Sequence, residues 1–367
     1  METFGVTYRV ESSTTEIEAR AQGIAVEQSV EVPLQAIHRA DILSDVVSKV
    51  ADITEVEPGK FLVTIAHNVE NTGHDAAQFL NVLFGNTSLQ SDVQLMDVTL
   101  TDSLLDTFGG PRVGMTGLRK QLAAPVRPLT ATALKPMGLS PAELGDLCRA
   151  FALGGLDVIK DDHGLADQRY APFDARVRAC QAAVDEVYAE TGHRAIYTPN
   201  LSGTPSDLYR RVDQVHELGV GAVMISPMLV GIPVFYELVR DRLRVPVLAH
   251  PAFAGALRIN PELLLGKLYR LLGADVSIFP NYGGRFSYSK TGCLRLANNL
   301  RQPWGSLKGA FPAPAGGMTT ERVDEMIDFY GRDVMLLIGG GLLTAPNITA
   351  YSRAFVDKVH AAGEGGA

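Results

Sequence analysis

The sequence predicts an α/β protein: a C-terminal (β/α)8 barrel of the TIM type, preceded by an α+β domain of ferredoxin-like form. Three observations carry this. Eight short apolar runs alternate with amphipathic stretches over about 220 residues, close to the ~250 usual for such a barrel. Polar and glycine-rich residues collect at the C-terminal end of nearly every run. Before residue 112 the pattern differs, with longer alternating runs and a Pro-Gly turn.

In the N-terminal part, GVTYRV (5–10) alternates like a half-buried strand. Residues 14–28 read as a helix with Ser12 to Thr14 as caps. Residues 49–69 hold ADITEV, a Pro58-Gly59 turn and FLVTIAH, a hairpin signal. Asp75 to Leu83 is helical and stops at Gly85-Asn86, with Asn86 as a C-cap. Residues 98–114 read as a connector with a short helix and a Gly-Gly-Pro break. These elements define domains at 1–112 and 113–367, the second closing with a C-terminal helix.

The barrel strands are LTATAL (129–134), LDVIK (156–160), RAIYT (194–198), GAVMIS (221–226), VPVLA (245–249), ADVSIF (274–279), KGAFPA (308–313) and VMLLI (334–338). Helices such as PAELGDLCRAFALGG and PSDLYRRVDQVHELG separate them. A doubly wound open sheet would require a Gly-rich dinucleotide loop after an early strand, and the sequence has none.

Composition narrows the function. Apolar content of 46% and charge of 20% over 367 residues are those of a globular protein. A net charge of −8 disfavours nucleic acid or an anionic membrane as the main partner. Three cysteines, Cys148, Cys180 and Cys293, lack metal spacing and cannot all pair, which fits a reducing cytoplasm. The start METFGVTYRVES is not a signal peptide, and no apolar run reaches the roughly 18 residues of a membrane span.

A barrel's active site lies at the C-terminal ends of its strands. The second strand ends in Lys160, Asp161, Asp162 and His163 before Gly164 turns the chain. An amine, two carboxylates and an imidazole against a buried strand are costly unless something bound uses them, and oxygen ligands suit Mg²⁺. An ordinary solvated loop is the alternative. Lys135 ends strand 1 as a proton carrier, a phosphate contact or a surface charge. His250 ends strand 5, either satisfied by backbone or reaching a substrate oxygen. Gly316-Gly317 and Gly339–Gly341 follow strands 7 and 8, where loops commonly bind phosphate; tight turns would use the same residues.

These motifs resemble those of the ribulose bisphosphate carboxylase large-chain superfamily. The likeness runs from Glu27 to Gly341 and is strongest from Phe84 to Gln168. It comprises FGNTSL, FGGP, ALKPMGLS, GGLDVIKDDHGLADQ, LAH, PAGG and IGGG, in order. The resemblance implies an N-terminal α+β domain, a barrel and a homodimer, or higher oligomer, with active sites shared between subunits. It implies that CO2 converts Lys160 to a carbamate, and that this group and Asp162 hold Mg²⁺. It makes Lys135 the strand-1 catalytic lysine and His250 the neighbour of substrate hydroxyls. Gly316, Gly317, Gly340 and Gly341 become phosphate loops. Asn86 and Glu27 match residues donated by the partner subunit, and Arg285 falls near the mobile strand-6 loop lysine.

The departures point away from carboxylation. His163 stands where carboxylases have a glutamate ligand. The strand-1 loop is one residue shorter and offers Met137 in place of a second lysine, and Ala315 replaces a serine. The resemblance is therefore to the RuBisCO-like branch, whose shared step is proton removal next to the carbonyl of a phosphorylated ketose. His163 is either a third metal ligand or a general acid or base, and a plain Lys160–Asp162 ion pair without metal is a further reading. The expected activity is isomerisation of 5-methylthioribulose 1-phosphate in methionine salvage. The alternatives are a 2,3-diketo-5-methylthiopentyl-1-phosphate enolase, a decarboxylase or hydrolase of a phosphorylated oxo-sugar acid, and a non-catalytic stress-related protein.

Overall fold

The computed structural model describes residues 1–364 and divides into two units, Met1–Gly109 with Ala254–Leu264, and Gly110–Phe253 with the chain from Leu265 onward. A boundary at one point of the chain does not anticipate the return of Ala254–Leu264 to the first unit.

The first unit is a βαββαβ arrangement. It consists of β1 (Thr3–Glu11), a helix at Ile17–Glu27, β2 (Lys49–Glu57), β3 (Lys60–Asn68), a helix at Ala76–Phe84 and β4 (Val93–Thr99). The antiparallel sheet runs β2-β3-β1-β4, the ferredoxin-like order. Alternation is the cause: Phe4, Val6, Tyr8 and Val10 of β1 are buried, as are Phe61, Val63 and Ile65 of β3. The buried Gln28 amide ties the two helices, donating to Asn81 O and Val82 O at 2.9 Å. Gly59 follows Pro58 with φ of 73°, the geometry a type II turn asks of glycine.

Three local expectations are corrected. The first helix starts at Ile17 with Glu16 at the N-cap and no side-chain cap, so Ser12 to Thr14 do not cap it. Gly85, not Asn86, caps Ala76–Phe84; Asn86 begins a short 3₁₀ turn. Residues 93–99 form a strand that alternation alone misses. Between Thr7 and Tyr8 the register against β1 shifts, placing a bulge at Met96 and changing the phase of the buried residues after Leu95.

The second unit is the barrel: β5 (Leu129–Leu134), β6 (Val158–Asp161), β7 (Ile196–Thr198), β8 (Asn200–Leu201), β9 (Val223–Ile225), β10 (Val247–Ala249), β11 (Val276–Pro280), β12 (Phe311–Ala315) and β13 (Met335–Leu337). The order β7-β6-β5-β13-β12-β11-β10-β9-β8 is parallel throughout. β7 and β8 are halves of one strand interrupted by Pro199, so eight strands close a ring. Pro199 lacks an N–H, but its carbonyl still accepts from Met224 N at 2.9 Å.

Inside the ring pack Leu129, Ala131, Val158, Ile196, Met224, Leu248, Val276, Ile278, Phe311, Ala313, Met335 and Leu337. Two of the helices outside start on capping boxes, Ser140 with Glu143 and Thr204 with Asp207, each with proline at the first helical position. Two buried acids at the N-terminal ends of strands are structural. Asp157 binds Arg127 and Thr130, and Asp275 accepts from the backbone N–H of Val113, Gly114 and Val247.

Candidate active site

Strand periodicity selects the side chains of the site. With Ala131, Val158, Ile196, Met224 and Leu248 inside the ring, counting forward in twos brings Lys135, Lys160, Asp162, Thr198, Ser226 and His250 onto the same inner face. Asp161 falls on the outer face. There the buried Arg176 donates to it from Nε at 3.0 Å, Tyr197 OH at 2.8 Å and the Asn200 backbone N–H at 3.0 Å. Adjacent carboxylates thus have separate work: Asp161 anchors the strand end and Asp162 faces the site.

Asp162 pairs with Lys135, and its Oδ1 accepts the Gly164 N–H at 2.8 Å. The Lys160–Asp162 ion pair considered from sequence does not form, because Lys135 takes the carboxylate. Burial opposes ionisation of Asp162, but the Lys135 ammonium and the Gly164 N–H outweigh it and hold the carboxyl below its usual range. A Cβ on Gly164 would lie 2.5 Å from Met137 Sδ and 3.1 Å from Asp162 Oδ1, so a side chain there would crowd the Asp162 carboxylate and displace Met137.

Lys160 is buried and donates one hydrogen bond, to Asp161 O at 3.0 Å. Burial lowers its pKa to about 8; Asp162 opposes this and the charge of Lys135 adds to it. His163 presents Nδ1 to Asp162 Oδ1 at 3.6 Å. It stacks on His250 with ring centroids 4.3 Å apart. Nδ1 of His250 accepts the Ala252 N–H at 3.1 Å, so the neutral ring carries its proton on Nε2. Burial, then the charges of Lys160 and His163, keep the His250 pKa far below the ordinary value. Burial also lowers that of His163; Asp162 opposes this, and the charges of Lys160, Lys135 and, last, Arg285 add to it.

Gly316 and Gly317 have φ of 82° and 69°. A Cβ on Gly317 would sit 2.6 Å from Gly284 Cα, so the loops after β11 and β12 interlock. Gly340 and Gly341 open the short helix Gly340–Leu343, and a Cβ on Gly340 would meet nothing within 4 Å. Glu27 and Asn86 meet within the first unit. Asn86 Nδ2 donates to Glu27 Oε1 at 2.9 Å and to Glu31 Oε1 at 3.1 Å.

Sequence reasoning missed two features. Asn200 Nδ2 donates to His163 O at 3.1 Å and Leu165 O at 2.8 Å, holding the loop that carries His163. The Asp161–Arg176–Tyr197 cluster was equally hidden, because Arg176 lies 15 residues on in the next helix. Counting in twos from Val158 would have separated Asp161 from Asp162.

Among the described residues no three His, Cys, Asp or Glu side chains converge as a metal site. No helix among them is long and apolar enough to cross a membrane.

A parallel barrel that concentrates two lysines, a carboxylate and stacked imidazoles at the C-terminal ends of its strands is built as an enzyme barrel. The ribulose bisphosphate carboxylase large-chain catalytic domain matches residues 114–276. A 5-methylthioribulose-1-phosphate isomerase of Rhodospirillum rubrum is 50% identical over 362 residues, 98% of this chain and 97% of its own. A 2,3-diketo-5-methylthiopentyl-1-phosphate enolase of Geobacillus thermodenitrificans is 34% identical over 294 residues, 78% of this chain and 71% of its own. The crystal structure of a Rubisco-like protein from Rhodopseudomonas palustris superimposes with a TM-score of 0.92 at 46% identity, covering 98% of each chain. The chain belongs to the ribulose bisphosphate carboxylase large-chain family, in its RuBisCO-like branch.

Proposed function

We propose that the protein isomerises 5-methylthioribulose 1-phosphate by moving a proton between carbons next to the ketone. The observation that carries this is the cluster of Lys135, Lys160, Asp162 and His250 on the inner face, with His163 stacked on His250, in a chain 50% identical to an isomerase of that substrate. The enolase reading has the weaker support of 34% identity.

The donor set fits Mg²⁺ on one condition. Asp162 and His163 would supply two ligands, and a third would have to come from Lys160, which as an ammonium has no lone pair to give. Its burial, single hydrogen bond and lowered pKa favour the neutral amine, whose lone pair attacks CO2 with loss of a proton. Lys160 as carbamate, Asp162 and His163 would then hold the ion, which supplies Lewis acidity at the substrate carbonyl.

The chain's own groups do the rest. With Asp162 given over to the ion, Lys135 would lose its counter-charge, and as the neutral amine its Nζ would take the proton from one carbon and return it to the neighbouring one. His250 Nε2–H donates to a substrate oxygen; its depressed pKa suits it to hydrogen bonding as a neutral ring, not to taking up the proton. Gly316, Gly317, Gly340 and Gly341 offer backbone N–H groups to the phosphate, and Arg285 adds a positive charge. Glu27 and Asn86 act as residues lent across a homodimer, as in the family pattern.

The test is deuterium exchange followed by NMR, with Mg²⁺ and bicarbonate present. Wild type should move deuterium into the methylthio sugar phosphate and release an isomer without CO2. Lys160→Met should lower exchange at least a hundredfold; undiminished exchange would remove the role given to the amine.

A further inference from the structure

We propose that the hydroxyls of Thr198 and Ser226 form a substrate-binding pair that takes the hydroxyl-bearing carbons of the sugar phosphate. The proposal rests on the reading that the inner face binds such a substrate, and it adds what recognises the carbon chain between ketone and phosphate.

Both side chains are buried, at 0% and 4% exposure, and neither Oγ1 of Thr198 nor Oγ of Ser226 has a hydrogen-bond partner. Leaving a hydroxyl buried and unpaired opposes folding. The hydroxyls that face outward from the barrel strands are paired. Thr130 Oγ1 bonds Asp157, Thr132 Oγ1 donates to Ile338 O at 2.8 Å, and Ser277 Oγ to Leu265 O at 2.7 Å. Thr198 and Ser226 have the other parity, that of Ile196 and Met224 inside the ring.

Their ladder neighbours locate them further. Thr198 is the direct partner of Lys160 across β6 and β7. Ser226 is the next residue after Ile225, which pairs with Ala249, so it stands level with His250. Each unpaired hydroxyl therefore flanks a member of the cluster described above. Ser226 is also the N-cap of the turn Pro227–Val230, the position where serine ordinarily binds a helix N–H, and it makes no such bond.

A hydroxyl both donates and accepts and carries no charge. Its match in a buried site is a neutral group of the same kind, such as an alcohol on the ligand. The phosphate is better served by the glycine loops and Arg285, and the carbonyl by cations. What remains of a pentulose phosphate is its secondary hydroxyls.

Two arms test the pair. In the first, Thr198→Val, Ser226→Ala and the double variant are melted without ligand and assayed with 5-methylthioribulose 1-phosphate. The proposal expects Tm unchanged or raised, with kcat/KM down at least tenfold, mainly through KM, and recovery in Thr198→Ser. A fall in Tm with kcat/KM within twofold of wild type would overturn it. The second arm needs no turnover. Ribitol 5-phosphate and pentyl phosphate, which share the phosphate but not the hydroxyls, are titrated into wild type and the double variant by calorimetry. Wild type should prefer ribitol 5-phosphate at least tenfold and the variant should lose that preference. If wild type fails to turn over the methylthio sugar yet prefers ribitol 5-phosphate, and the double variant loses that preference, the proposed function falls and the hydroxyl pair stands. An equal preference in both proteins, or none in wild type, overturns the pair whatever the substrate.

Discussion

A single buried ring illustrates how one residue couples the fold to pH. His67 is fully buried in the first unit, its Nδ1 at 2.7 Å from Ser48 Oγ, and its ring stacks on Phe4 at 5.5 Å. Burial lowers its pKa to about 4. The unfolded ring titrates near 6.5, so below that pH the unfolded chain binds a proton that the folded chain refuses. Stability from His67 is therefore complete above pH 6.5 and drains away as pH falls towards 4, by on the order of 3 kcal/mol. Urea midpoints across this range should decline in wild type and decline less in His67→Phe. At the same scale, Lys135 rather than Lys160 neutralises Asp162. Removing that carboxylate takes away both the Lys135 counter-charge and a proposed metal ligand, so Asp162→Asn should abolish activity while the barrel still folds.

At the scale of elements, the end of β6 depends on the helix that follows it. Arg176, in the helix Phe173–Thr191, reaches back to Asp161 and to the carbonyls of Ala166 and Ala171. Breaking one member of a buried ion pair costs about 3–5 kcal/mol. Asp161→Asn should lower unfolding stability by that amount, and lost activity should follow from displacement of Lys160 and Asp162. The interlocked loops after β11 and β12 make a second prediction. Gly317→Ala places a Cβ 2.6 Å from Gly284 Cα at a φ of 69°, and the left-handed backbone alone costs about 1–2 kcal/mol. Its KM for the phosphorylated substrate should rise more than that for a phosphate-free analogue.

Much of this was legible in the chain. Apolar runs marked all eight barrel strands because their inner and outer faces are both buried, and the residues after each run marked the site. The ladder hid what period-two reading depends on: the bulge at Met96 concealed β4, and the Pro199 break split one strand in two. The choice of Lys135 as partner for Asp162 joins the ends of two strands 27 residues apart, and no local pattern encodes it.

For the molecule as a whole, the pairing of Glu27 with Asn86 in the first unit and of Lys135 with Asp162 in the barrel gives a test of shared sites. If each active site draws on both subunits, Lys160→Met and Asn86→Ala proteins are each inactive. Unfolded together and refolded, they should regain about a quarter of wild-type activity, because half the dimers are mixed and each mixed dimer has one intact site. No recovery would assign Asn86 to the same subunit's site. The edge strand β4 shows a further property. Its exposed flank is closed at Leu95, whose N–H donates to Arg258 O at 3.0 Å and whose carbonyl accepts from Asn260 N at 2.8 Å. That patch is encoded about 160 residues downstream, in Ala254–Leu264. A gene fusion or recombination event with one breakpoint near codon 110 would thus carry away a sheet with a bare, self-adhesive margin, and inheritance of the N-terminal unit is bound to that of the barrel gene.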